Sequence, residues 1–373
     1  MSGPERCRLR DLGIGVGELP IGPLNAITDV PGVRVGHCTV SWGGPESPHG
    51  SGPARTGVTA IFPHEDDVWH GRVVAGAFVA NGVGELIGIS AIREWGLIET
   101  PVLLTNSQSA GAVYDATVRW MMDHDPRIGI EDAVMPVVGE CDDGFLNDLR
   151  GMHVKEEHVR EALDSAATGP VAEGCVGAGT GMSCFDFKAG IGTSSRLVTA
   201  HGRAYTVGVL ALTNFGSGAR HRLQIDGVPV GREIIDLMPV ESRDGSCIVV
   251  LATDAPLSAR QCQRMAKRCA FGLALTGSYA SDGSGEIMVA FSTAHRVPRE
   301  SAAPLQLTSV ANDQMDQLFE AAVNATAECV VNSLCAARTT VGRDGHTAYE
   351  LPLHRLVATM RKHGREARSP DGA

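Results

Sequence analysis

The run Cys247-Ile248-Val249-Val250-Leu251-Ala252 is the strongest constraint in this 373-residue chain. It has strand length and no polar interruption, so it reads as a buried strand that the rest of the fold must cover. Asp244-Gly245, just before it, is a turn-prone pair that delivers Ser246 to the first position of the strand and fixes its hydroxyl at the edge of a sheet. A nucleophile is well placed there. Taken alone, the same Asp-Gly-Ser is also an ordinary surface turn before an ordinary strand, and the rest of the chain has to decide.

Strand patterns recur at residues 59–62, 73–79, 102–104, 134–138, 205–212 and 287–291. Helical spacing appears at 86–95, 109–122, 152–166, 313–337 and 353–362. A further helix, capped by Asp254 or Ser258, runs to about Leu273 with Cys262, Met265, Ala266, Cys269, Ala270 and Leu273 on one stripe. Asn81-Gly82 and residues 213–216 read as turns, 217–244 as a polar irregular stretch, and 365–373 as a disordered tail. No short period repeats. Glycine-rich strands alternating with helices point to a layered α/β or α+β domain.

The formal net charge is −11 and Lys and Arg form no run, which argues against nucleic acid or an anionic membrane and favours a small neutral or cationic ligand. The ten cysteines include no Cys-x-x-Cys pair, so zinc is poorly supported. His153 and His158 lie about 140° apart on a helix and cannot share a metal. Gly177-Ala178-Gly179-Thr180-Gly181 falls short of a dinucleotide loop because position 182 is Met182. His37, beside a Pro-Gly turn, reads as structural. With no signal-like start and no apolar run of membrane length, a cytoplasmic protein is expected.

A serine hydroxyl needs a base, and no Gly-x-Ser-x-Gly elbow announces one; Gly283-Ser284-Gly285 lacks that pattern. Scission between Gly245 and Ser246 would solve the problem, giving Ser246 a free α-amine with a typical pKa of about 8. Gly245 leaves the scissile carbonyl accessible. Ser284 and Glu286, two apart, share one face if the strand begins there. Asn214 offers an amide at a strand end, and Glu140, Asp142 and Asp143 form an acidic strand-end loop whose plainer reading is a solvated turn.

Taken together, residues 25–37, 103–106, 136–147, 177–192, 213–216, 245–256, 283–286 and 339–344 resemble, in order and nearly end to end, the β-aminopeptidase and L-aminopeptidase/D-esterase family. Members cleave themselves at a Gly-Ser bond and use the new N-terminal serine. The resemblance implies a four-layer α/β/β/α sandwich like that of N-terminal nucleophile hydrolases, with different connectivity. It also implies a self-cleaved pair, residues 1–245 and 246–373, folded as one unit and assembled as a homo-oligomer, commonly a tetramer. No cofactor or metal is implied.

Carried over, Ser246 is nucleophile and its amine the base, Ser284 and Glu286 orient that pair, Asn214 donates to the oxyanion, and Glu140 holds the substrate ammonium. One position departs: Asp142 stands where described members place an oxyanion-binding tyrosine, and an ionised carboxylate facing an oxyanion would repel it. The expectation is an autoproteolytic serine aminopeptidase acting on short peptides, amides and esters. The alternatives are an amidohydrolase on synthetic or cyclic oligoamides, and a binding or scaffold member with weak turnover.

Overall fold

The structure, a computed structural model, describes residues 6–240 and 245–365. The turn residue Asp244 and tail residues 366–373 lie outside them. Strands of the two main sheets are β1 (Arg34–Trp42), β2 (Ala54–Phe62), β3 (Gly71–Gly82), β4 (Leu86–Ile87), β5 (Leu97–Ile98), β6 (Val102–Asn106), β7 (Val137–Cys141), β8 (Ile191–Ala200), β9 (Arg203–Asn214), β10 (Ser246–Thr253) and β11 (Gly285–Pro298). Helices are α1 (Ile89–Trp95), α2 (Ala110–His124), α3 (Glu156–Asp164), α4 (Val230–Glu233), α5 (Ala259–Leu275), α6 (Asp316–Ala336) and α7 (Leu353–Lys362).

The apolar run is β10, buried along its whole length. It lies inside a six-stranded sheet of order β8-β9-β10-β11-β3-β5, antiparallel to β9 and parallel to β11. Because side chains alternate, Ile248, Val250 and Ala252 face a second, five-stranded sheet of order β1-β2-β6-β7-β4, packing among Leu104, Val137 and Leu212. Cys247, Val249 and Leu251 turn the other way, onto Met265 and Cys269 of α5 and Leu318 and Val330 of α6. Residues of α2 and α3, including Val113, Val159 and Leu163, cover the far side of the second sheet over Val58 and Leu103. The result is the expected α/β/β/α sandwich. Burial of each such aliphatic contributes about 1.5–3 kcal/mol, which is why an unbroken apolar strand takes a central position.

Local departures from the sequence reading have physical causes. Asn81 and Gly82 stay in β3 because Asn81 pairs with Glu286 and Gly82 with Gly285. Gly88, at φ +90°, separates β4 from α1 where one helix was expected. At α5 the structure uses Ser258, whose backbone N–H donates to Gln261 Oε1 at 3.0 Å while Gln261 N–H returns to Ser258 Oγ at 3.3 Å. Strand β8 was not expected at all. Its Thr193, Ser194, Ser195 and Arg196 are buried but polar, and they pair with the chain start and α6 instead of packing apolarly.

The centre of that polar network is Glu328, fully buried, which accepts from Arg196 Nη2 at 2.7 Å, Asn25 Nδ2 at 2.6 Å and Arg10 Nε at 2.8 Å. Glu328→Ala would strand the buried Arg196 guanidinium, and a loss of about 3–5 kcal/mol in stability is expected in chemical denaturation. No helix among the described residues is long and apolar enough to cross a membrane.

Candidate active site

The site lies at one end of the two stacked sheets, where the start of β10 meets the ends of β7 and β9 and the start of β11. Gly139 of β7 lets the sheets approach there: a Cβ on it would come within 2.9 Å of Ile248 Cγ2. Ser246 is buried, and its Oγ donates to Val83 O at 3.4 Å, a long contact that supplies no base. Asn214 is the direct register partner of Ser246, so their side chains share the face between the sheets.

Gly245 has no room for a side chain. A Cβ on it would sit 1.8 Å from Asn214 O and 3.1 Å from Asn214 Nδ2. The scissile peptide expected from the sequence is thus pressed against the asparagine assigned to the oxyanion.

Glu140, placed by sequence in an acidic loop, is a buried residue of β7. Its Oε1 accepts from Glu85 N at 2.7 Å and its Oε2 from Ser107 Oγ. Burial pushes its carboxyl above the usual carboxylate range, and those two donors only partly oppose the shift. A Cβ on Gly84 would lie 3.4 Å from Glu140 Oε1 and 3.5 Å from Ser246 Oγ. The bare glycine leaves a gap bounded by the acid and the hydroxyl.

Ser284 and Glu286 pair as the sequence spacing suggests: Ser284 Oγ donates to Glu286 Oε1 at 2.5 Å, and both are buried. Glu286 Oε2 has no hydrogen-bond partner among the described residues, and burial raises the pKa of its carboxyl. They straddle Gly285, which is Ser246's partner across the parallel ladder, while Glu286 lies opposite Cys247 and so on the other face from the Ser246 hydroxyl. The pair therefore flanks the Ser246 backbone, and no side-chain hydrogen bond among the described residues joins it to Ser246 Oγ. In the intact chain that backbone nitrogen is an amide.

Asp142 is exposed and closes its own turn, its Oδ1 accepting from Gly144 N at 2.7 Å, while its backbone carbonyl accepts from Asn214 Nδ2 at 2.7 Å. Asp143 turns inward instead. Its Oδ1 accepts from Asn147 Nδ2 at 2.9 Å, and burial raises its pKa to about 7. Ser107 and the Val83–Glu85 segment carry no motif, and reasoning from sequence missed them.

His37 is structural in its surroundings: Nδ1 meets Thr59 Oγ1 at 2.9 Å, and burial lowers its pKa to about 4. At the other end of β3, Asp67, His70 and Asp125 bring ligand atoms within 4.8 Å of one another. That cluster already holds a cation, since Arg127 donates to Asp125 through Nε at 3.0 Å and Nη2 at 2.7 Å.

Comparison with known proteins gives a consistent picture. The model of peptidase family S58 matches residues 25–348. The β-peptidyl aminopeptidase BapA of Sphingosinicella microcystinivorans is 43% identical over 377 residues, covering 96% of this chain and 93% of its own length. The PH0078 protein of Pyrococcus horikoshii OT3 superposes with a TM-score of 0.92 at 46% identity, covering 96% of this chain and 100% of that one. The L-aminopeptidase D-Ala-esterase/amidase of Ochrobactrum anthropi, described as a prototype of the serine aminopeptidases and a new variant of the Ntn hydrolase fold, gives 0.91 at 42% identity, with 96% and 99% covered.

Proposed function

The chain belongs to peptidase family S58 and is an aminopeptidase, and from that premise we propose that Ser246 is its nucleophile, freed by scission of the Gly245–Ser246 bond. The observation that carries the reading is the gap at Gly84, bounded by both Ser246 Oγ and the Glu140 carboxylate, with Asn214 the register partner of Ser246. In the first event the Ser246 hydroxyl attacks the Gly245 carbonyl and the C–N bond breaks, leaving an ester on Ser246 Oγ and a free Ser246 amine; water then hydrolyses that ester to a Gly245 carboxylate and the Ser246 hydroxyl. The new terminus stays in the central strand, paired with Asn214 on one side and Gly285 on the other, which would keep residues 1–245 and 246–373 together.

In turnover the free amine takes the hydroxyl proton as Oγ attacks the substrate carbonyl, Asn214 donates to the developing oxyanion, and the leaving amine departs with a proton. Water hydrolyses the resulting ester. Ser284 and Glu286 flank the amine and favour its positioning. Glu140, beside the hydroxyl and met by two donors among the described residues, binds the ammonium of a substrate whose reacting carbonyl lies one residue away. Small N-terminal residues fit this spacing, and the similarity to a β-peptidyl aminopeptidase extends the proposal to β-amino acids. The cleaved pair would act in a cytoplasmic homotetramer.

The test compares short peptides with free and N-acetylated termini. Only the free ones should be cut; equal rates would contradict the role of Glu140. The pH profile follows from the raised Glu140 pKa. As pH falls through that value the carboxyl takes up a proton and loses its attraction for ammonium. The acid limb of kcat/KM should therefore lie above the ordinary glutamate value of about 4.3. The Ser246 amine, protonated below its own typical pKa of about 8, adds a second acid-side loss; in Glu140→Gln the contribution of Glu140 should vanish and only that of the amine remain, with kcat/KM lower by about 10- to 100-fold.

A further inference from the structure

The geometry leaves a developing oxyanion one donor short. Asn214 is fixed at both ends of its amide, Oδ1 accepting from Ser183 N at 2.9 Å and Nδ2 donating to Asp142 O at 2.7 Å, so one N–H remains for the cleft. Acyl-transfer sites commonly aim two donors at that oxygen. Asp142 does not supply the second, because its exposed carboxylate accepts from Gly144 N.

We infer that the hydroxyl of Ser183 is the second oxyanion donor. This rests on the reading of Ser246 as nucleophile. Ser183 is held against Asn214 by its own N–H, and its Oγ is buried with no hydrogen-bond partner among the described residues. Buried hydroxyls are nearly always paired, so an orphan beside the asparagine that faces Ser246 calls for a ligand oxygen. A hydroxyl also rotates to meet whatever acceptor arrives.

The segment that carries it is clamped rather than loose. Ser183 pairs with Lys188 and Cys184 with Phe187 in a short hairpin. The buried Lys188 ammonium donates to Gly179 O at 3.1 Å, Met182 O at 2.7 Å and Ala189 O at 2.6 Å, pinning the chain on both sides of Ser183. Such preorganisation is what an oxyanion donor requires, since it must be in place before charge develops.

The test uses the full chain with turnover counted per molecule that carries a free Ser246 terminus, measured by mass. Ser183→Ala should lower kcat about 100-fold with KM within about 2-fold. Ser183→Cys, which fills similar space with a weak donor, should fall alike, while Ser183→Thr keeps most of the activity. Affinity for a peptide boronic acid, which forms a tetrahedral adduct, should drop in the Ala and Cys variants; binding of the amino-acid product should not. Full activity in Ser183→Cys would reduce Ser183 to a packing role and overturn the inference. So would kcat of Ser183→Ala within about 3-fold of the parent while Ser246→Ala is dead. An active Ser246→Ala would overturn the nucleophile reading and this inference with it.

Discussion

Ser246→Ala is expected to yield one uncut chain of 373 residues whose aminopeptidase turnover is lower by about 10⁴-fold or more. The size follows from two losses at once. The attacking oxygen disappears, and so does the amine that would deprotonate it, because the Gly245–Ser246 bond is never opened. Folding should be spared. The strand registers Asn214 to Ser246 and Ser246 to Gly285 are made by backbone, and the one side-chain bond surrendered among the described residues is the 3.4 Å contact to Val83 O. A melting curve matching the parent, beside an intact chain without turnover, would place the defect in chemistry. Retained turnover would move the nucleophile elsewhere.

Gly245→Val should abolish processing while leaving the serine in place. A Cβ at residue 245 meets Asn214 O at 1.8 Å and Asn214 C at 2.7 Å, and both are backbone atoms that cannot swing aside. The peptide must shift away from Asn214, carrying the scissile carbonyl out of reach of the amide that would stabilise its tetrahedral form; a lost donor of this kind costs about 100- to 1,000-fold in rate. On a gel the variant should remain a single band over a time course in which the parent becomes two. Turnover should vanish in step, since the base is an amine that was never released. An uncut Gly245→Val chain with parental turnover would show that Ser246 works without its free terminus.

The strand that organises the fold was legible because burial on both faces removes every polar residue from it, leaving Cys247 to Ala252 without alternation. Ser284 and Glu286 were legible for a similar reason: a two-residue spacing at a strand start puts side chains on one face, and they do bond. Long-range pairing was not legible. Asn214 looked like a turn residue because its partner lies at Ser246, across a polar stretch that says nothing of the ladder. Glu140 looked solvated because acidity near Gly is the ordinary sign of a surface loop; only the approach of β7 to β10 buries it. Strand β8 hid behind Thr, Ser and Arg whose partners are on α6 and at the chain start. The direction of Asp142 was set by a hydrogen bond to Gly144 two residues on, a turn chemistry present in the sequence but outweighed there by the comparison with tyrosine.

Peptidase family S58 membership fixes the class of reaction, while the central claim concerns one bond. The most direct measurement is the intact mass of the purified, unaltered protein, with the N-terminal sequence of each fragment. Two fragments are expected, 1–245 and 246–373, the smaller beginning Ser246-Cys247-Ile248. An active protein that remains a single uncut chain would contradict the account.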